Sequence, residues 1–308
     1  MEARGGTGTT SSQAALHGST GWTGGSLAGK WELAADNTLS VEAGSTKYIS
    51  GSVINRGVIN ASDSLVFVYP SHVLDKRGML NLQGDVGLLN AAYGGTVLNS
   101  GVISKTAGTG AASLAGVTLV NTGTPQLQSG VLRLPANFNN DGALTGVGSI
   151  AATSIVNMGS IAPGALLGAS TGMLTLASHW VLGPAGRLQM QLGEGGAHDL
   201  LVVLGDATLG GTLALSCDGV CTFTAGTDIL LLDATGVLSG SFSQVTLEGF
   251  GSGAFDVVYD SVHSDVFLYI TRDVSAVPEP ESYALCLGGL GALGFWLRRR
   301  RSAAGFKG

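Results

Sequence analysis

The sequence predicts an all-β chain wound as a right-handed parallel β-helix, a solenoid closed by a C-terminal β cap and followed by a single short transmembrane helix. Three observations predict it. Asn-x-Gly corners recur about every twenty residues, glycine is in excess without a collagen period, and an uncharged run near the C-terminus ends in four arginines. A corner at every coil, a backbone free to bend and an apolar stop are what such an architecture requires.

At 308 residues and 44% hydrophobic content the chain can bury a large core, and length alone allows one large β domain or two smaller ones. Its 50 glycines are more than twice the usual share, and 12% charged residues is about half of it. The net charge of -6 hides an asymmetry, because residues 298–308 hold five basic and no acidic groups. Residues 1–297 therefore carry 10 Lys+Arg against 21 Asp+Glu, a net of -11, which argues against nucleic acid as a partner.

The expected division runs from a low-complexity leader (1–20) through a repeat region (21–165), final coils and a β cap (166–272) and a linker (273–281) to an apolar span (282–297) and a basic tail (298–308). The leader is rich in Gly, Thr and Ser from Thr7 to about Thr20 and reads as disordered or loosely attached. Met1-Glu2-Ala3-Arg4-Gly5-Gly6 shows no basic n-region with an apolar h-region behind it, so the expected translation start of an exported chain lies upstream. Trp22 and Trp31 precede the array and are expected to cover its open end.

The repeat is carried by glycines at 57, 78, 101, 123, 142 and 159, at intervals of 21, 23, 22, 19 and 17. Asn stands two residues before each of them, at 55, 99, 121, 140 and 157, except that Lys76 precedes Gly78. Beside these corners lie Ser52-Val53-Ile54, Thr96-Val97-Leu98, Val117-Thr118-Leu119-Val120 and Ser154-Ile155-Val156. One β run and one corner per unit of about twenty residues suit one coil, with Asn laddering or occupying left-handed corners and Gly permitting the bends. Hairpin turns in a sandwich are the alternative, and the regular spacing favours the solenoid.

After Ile161 the pattern changes. In Arg187-Leu188-Gln189-Met190-Gln191-Leu192 apolar and polar groups alternate, so one face is buried and one is wet. Phe255 to Tyr259 and Asp265 to Ile270 read as paired strands. Cys217 and Cys221 enclose Asp218-Gly219-Val220 between apolar strands, where a tight hairpin disulfide fits an oxidising, exported compartment; Cys286 in the apolar span is a small hydrophobe or a lipidated thiol.

No catalytic, metal or cofactor site is expected. Gly195-Gly196-Ala197-His198-Asp199 resembles a calcium-binding glycine-aspartate repeat, yet it occurs once and such repeats work by stacking. His17, His72, His179, His198 and His263 are scattered and suit surface or turn positions. Polysaccharide lyases and glycosidases share the β-helix and need paired carboxylates. Between residues 50 and 160 the acids are Asp63, Asp75, Asp85 and Asp141; Asp63 and Asp85, 22 apart, fall on adjacent coils without a nearby Arg or aromatic subsite.

The C-terminal stretch combines a proline-stiffened break (Val277-Pro278-Glu279-Pro280), the uncharged run Ser282 to Leu297 and the cluster Arg298-Arg299-Arg300-Arg301. Sixteen helical residues cover about 24 Å, short of the roughly 30 Å hydrocarbon core. The arginines orient this end to the cytoplasm. In order and content these residues resemble the PEP-CTERM sorting signal of Gram-negative bacteria. The resemblance implies recognition by a membrane-embedded exosortase, processing near Pro278-Glu279-Pro280, and release or anchoring at the cell surface.

A second resemblance lies upstream, in Pro163-Gly164, His198-Asp199-Leu200, Gly211-Thr212-Leu213 and Gly240-Ser241-Phe242. These are similar to the C-terminal part of autotransporter-type β-helical passengers, which implies final coils and a β cap. The chain departs from that family after the cap, where the short span stands in place of a barrel translocator. The expected function is that of an exported, surface-sorted structural or adhesive protein that associates with exopolysaccharide or other surface polymers of a biofilm matrix. A β-helical lyase or glycosidase and a receptor-specific adhesin are the alternatives.

Overall fold

The computed structural model describes residues 13–91, 93–164, 171–217, 221–249 and 255–274. They wind into an all-β solenoid of about nine turns. Most coils carry three strands, where the sequence suggested one β run. One coil holds Val102–Ala107, Ala111–Ser113 and Thr118–Asn121, and the next holds Thr124–Leu127, Val131–Arg133 and Asn137–Asn140. Strands of three or four residues show too little alternation to be read one by one. Only the corner marked by Asn and Gly stands out in the sequence.

The first strands of successive coils pair with one another in a parallel sheet of eleven strands. The second and third strands merge into a sheet of nineteen, because Gly25–Leu33, Lys47–Asn55, Gly148–Asn157 and Met173–Leu182 run across the corner between the two faces. On the third face Val53, Leu74, Val97, Leu119, Phe138, Ile155, Trp180 and Ala207 lie in one inward column. Each buried large side chain in such a column contributes about 1.5–3 kcal/mol. The large Trp180 faces the small Ala207 in the next coil, which keeps the column filled without crowding.

The Asn residues form a ladder. Asn99, Asn121, Asn140 and Asn157 are in register and buried. Asn99 Nδ2 donates to Asn121 Oδ1 at 2.6 Å, Asn121 Nδ2 to Asn140 Oδ1 at 2.7 Å and Asn140 Nδ2 to Asn157 Oδ1 at 2.5 Å. The left-handed corner expected as the other role for Asn is not used, since Ser264 is the one described non-glycine residue with positive φ. The corner glycines serve space rather than backbone angle. A Cβ on Gly123 would lie 2.2 Å from Gly101 O, and one on Gly142 would lie 2.0 Å from Gly123 O. The coils touch there, so no side chain fits.

One expectation about the N-terminal end needs correction. The leader does not extend to residue 20, because Ala14–Leu16 already pairs with Trp31 to Leu33 and Ser19–Trp22 pairs with Thr38–Val41. Thr20 and Trp22 point inward and are buried, which gives this polar stretch a core face. Trp22 fills the interior of its coil, while Trp31 packs against the core from its margin and donates through Nε1 to Ala28 O at 2.9 Å.

Beyond Ile161 the solenoid continues with longer coils. Register places Ser160 beside Arg187, Arg187 beside Thr212 and Thr212 beside Gln244, so successive coils take 27, 25 and 32 residues. The hairpin Phe255–Asp260 and Asp265–Ile270 closes this end. Its second strand pairs antiparallel with Asp228–Ala234 and buries Val266, Leu268 and Ile270, covering a sheet edge that would otherwise invite pairing.

Candidate functional site

The two acids that a carbohydrate-cleaving site would need occupy equivalent corners on neighbouring coils, directly after Val58–Ala61 and Met79–Gln83. Each is tied to a buried lysine. Lys47 Nζ donates to Asp63 Oδ2 at 2.7 Å, and Ser64 N donates to Asp63 Oδ1 at 2.7 Å. The Lys47 hydrogen bond holds the Asp63 carboxyl below its usual range. Lys105 Nζ donates to Asp85 Oδ1 at 2.9 Å and to Ala107 O at 2.6 Å, and Gly110 N donates to Asp85 Oδ2 at 3.1 Å. Asp75 accepts from Arg77 Nε at 3.0 Å.

Sequence reasoning missed the buried lysines. The signal was present at Lys76, which takes the place of an Asn in the ladder between Asn55 and Asn99. Its Nζ donates to Gly78 O at 2.7 Å, and burial pushes its pKa down from 10.5 to about 7. The buried Oδ1 atoms of Asn55 and Asn99, on either side of it, have no hydrogen-bond partner.

His17, His179 and His263 are exposed, whereas His72 and His198 are half-buried. His17 Nδ1 lies 3.0 Å from Asp36 Oδ1, His179 Nδ1 lies 3.2 Å from Asp206 Oδ2, and His263 Nδ1 lies 2.6 Å from Asp260 Oδ2 in the cap hairpin. The Asp260 hydrogen bond raises the pKa of His263. Among the described residues no three His, Cys, Asp or Glu side chains converge as a metal site.

Asp199 closes the Gly195–Asp199 turn as a clamp. It is 1% exposed; its Oδ1 accepts from Gly172 N at 2.7 Å and its Oδ2 from Gln191 N at 2.8 Å. Burial pushes this carboxyl up from 3.8 to about 6. Cys217, which ends Thr212–Cys217, forms a disulfide with the buried Cys221, with Cα atoms 6.0 Å apart.

The sorting residues Val277, Pro278, Glu279 and Pro280, the span 282–297 and Arg298, Arg299, Arg300 and Arg301 lie outside the described residues. Among the described residues no helix is long and apolar enough to cross a membrane. A β-solenoid body leading into a proline break, an apolar run and a basic cluster defines a class, that of exported proteins sorted by a C-terminal signal. Residues 276–301 match the family model described as the PEP-CTERM protein-sorting motif. That signal implies export, membrane-associated sorting toward the cell surface and processing by an exosortase-type membrane enzyme. No curated protein matches the chain.

Proposed function

We propose that the exported body is a non-catalytic structural or adhesive rod that associates with exopolysaccharide or other surface polymers of an extracellular matrix. Eleven stacked strands at about 4.8 Å spacing make a rod roughly 50 Å long, whose outer faces suit repeated weak contacts with a polymer. The observation that carries the non-catalytic reading is the locking of Asp63 and Asp85 onto Lys47 and Lys105. A general acid needs a proton near neutral pH, and Asp63, whose carboxyl the Lys47 hydrogen bond holds below its usual range, is poorly suited to hold one.

The matrix role is tested by deleting the gene and measuring the polymer and protein retained in the sedimented matrix. A clear loss, restored by the wild-type gene, is expected; an unchanged matrix overturns the reading. If the purified protein cleaves a polysaccharide and Asp63→Asn with Asp85→Asn abolishes that cleavage, the protein is an enzyme instead.

A further inference from the structure

The outer face of the eleven-stranded sheet is interrupted near its C-terminal end. Arg187, Gln189 and Gln191 point outward between the buried Leu188, Met190 and Leu192. Register sets Gln189 beside Ala214, which in turn sits beside Thr246, and sets Gln191 beside Ser216, which sits beside Glu248. Small side chains thus lie between long ones, and the wall sinks into a trough of about 320 Å³. At about 30 Å³ per water that is the room of roughly ten waters, which suits one or two sugar rings.

The trough is built rather than incidental. Asp199 lines it and holds the backbone of Gln191 through two hydrogen bonds, accepting from Gln191 N at 2.8 Å and donating from its own N to Gln191 O at 2.9 Å. Gln191 lines the trough, and its buried Oε1 atom has no hydrogen-bond partner. Such an orphan acceptor costs about 1–3 kcal/mol, and a turn of the Gln191 amide toward the trough would offer it to a ligand hydroxyl.

The geometry points to this trough as a binding site for a neutral hexose unit of a polysaccharide. Arg187 offers donors, Gln189 and Gln191 offer both donors and acceptors, and Glu248 offers acceptors, which is the mixed set that a ring of hydroxyls satisfies. One arginine opposed by Glu248 and Asp199 leaves no surplus of positive charge for a phosphate or sulfate. An apolar ligand would strand the polar lining. The site rests on the reading of the body as polymer-associated, and supplies the place of contact.

The test is calorimetric titration of the full chain with glucose, galactose and mannose disaccharides and with neutral dextran, galactan and mannan. Binding of at least one is expected. Ala214→Arg, which fills the trough from its outward position, and Gln191→Leu, which removes the orphan acceptor, are each expected to weaken it at least tenfold while thermal unfolding stays cooperative. If Ala214→Arg fails to fold, Arg187→Ala with Gln191→Leu decides the matter. Binding that survives these changes overturns the trough and leaves the matrix reading standing. Absence of neutral-sugar binding, or binding restricted to sulfated polymers, also overturns the trough, and the gene deletion then judges the matrix reading independently.

Discussion

The coils before and after Ile161 solve the same packing problem by different means. Before it, coils of 17 to 23 residues share one corner, where glycines stack too closely for a Cβ and buried Asn amides hand hydrogen bonds from coil to coil. After it, coils of 25 to 32 residues put Leu182 and then Leu209 at the ladder position, and polar satisfaction moves to a single clamp at Asp199. A repeated hydrogen-bonded corner demands the same residue at every turn. An apolar corner frees the neighbouring segments to lengthen, and the trough on the first face forms among those longer coils.

The widest effect expected from this contrast concerns the one cation in the Asn ladder. In the unfolded chain Lys76 keeps its proton up to about 10.5, and in the fold it releases it near 7. Between those values the unfolded state holds the extra proton, so stability rises with pH across the window and is lost as pH falls back toward 7. The shift corresponds to a change on the order of 5 kcal/mol. Lys76→Asn completes the ladder with an amide that Asn99 Oδ1 can accept from; denaturant titrations from pH 6 to 10.5 are expected to show the rise in the wild type and not in the variant.

Next in size is the stacked corner. Gly123→Ala forces a Cβ against the carbonyl of Gly101 and is expected to cost about 3 kcal/mol or more. Gly195→Ala, in the later coils, meets nothing within 4 Å but sits at φ +70°, and about 1 kcal/mol is expected. Equal losses in urea-unfolding midpoints would erase the distinction between a corner limited by space and one limited by backbone angle.

Asp199 gives the later coils the opposite pH response. Its folded pKa of about 6 lies above its ordinary 3.8, so between those values the folded state holds the extra proton. Stability from this group is fully present below about 3.8 and is lost as pH rises through about 6, by an amount on the order of 3 kcal/mol. Asp199→Asn is expected to flatten that decline, whatever its own constant cost, in thermal melts between pH 3.5 and 7.

The smallest effect expected is at a single ladder rung. Asn121→Leu leaves Asn99 Nδ2 and Asn140 Oδ1 without their bonds to residue 121, at about 2 kcal/mol. A neutral outcome in chemical denaturation would mean that the amide ladder is no more stabilising than the Leu182 and Leu209 arrangement that replaces it.

The solenoid class, the corner positions and the paired strands of the cap were legible in the sequence because each is signalled locally. Asn55, Asn99, Asn121, Asn140 and Asn157 recur at coil spacing beside glycine, and Phe255 to Tyr259 and Asp265 to Ile270 are apolar strands across a short turn. The sorting signal was legible for the same reason, since proline break, apolar run and arginine cluster are contiguous and match as a unit over residues 276–301. What brings distant residues together was not legible. Three strands in most coils, the pairing of Lys47 with Asp63 across 16 residues and of Lys105 with Asp85 across 20, and the trough beside Gln191 depend on coil register. A shift of one residue in any coil turns every side chain of its strand to the opposite face. Local chemistry can name the corners, but only the wound chain decides what stands beside what.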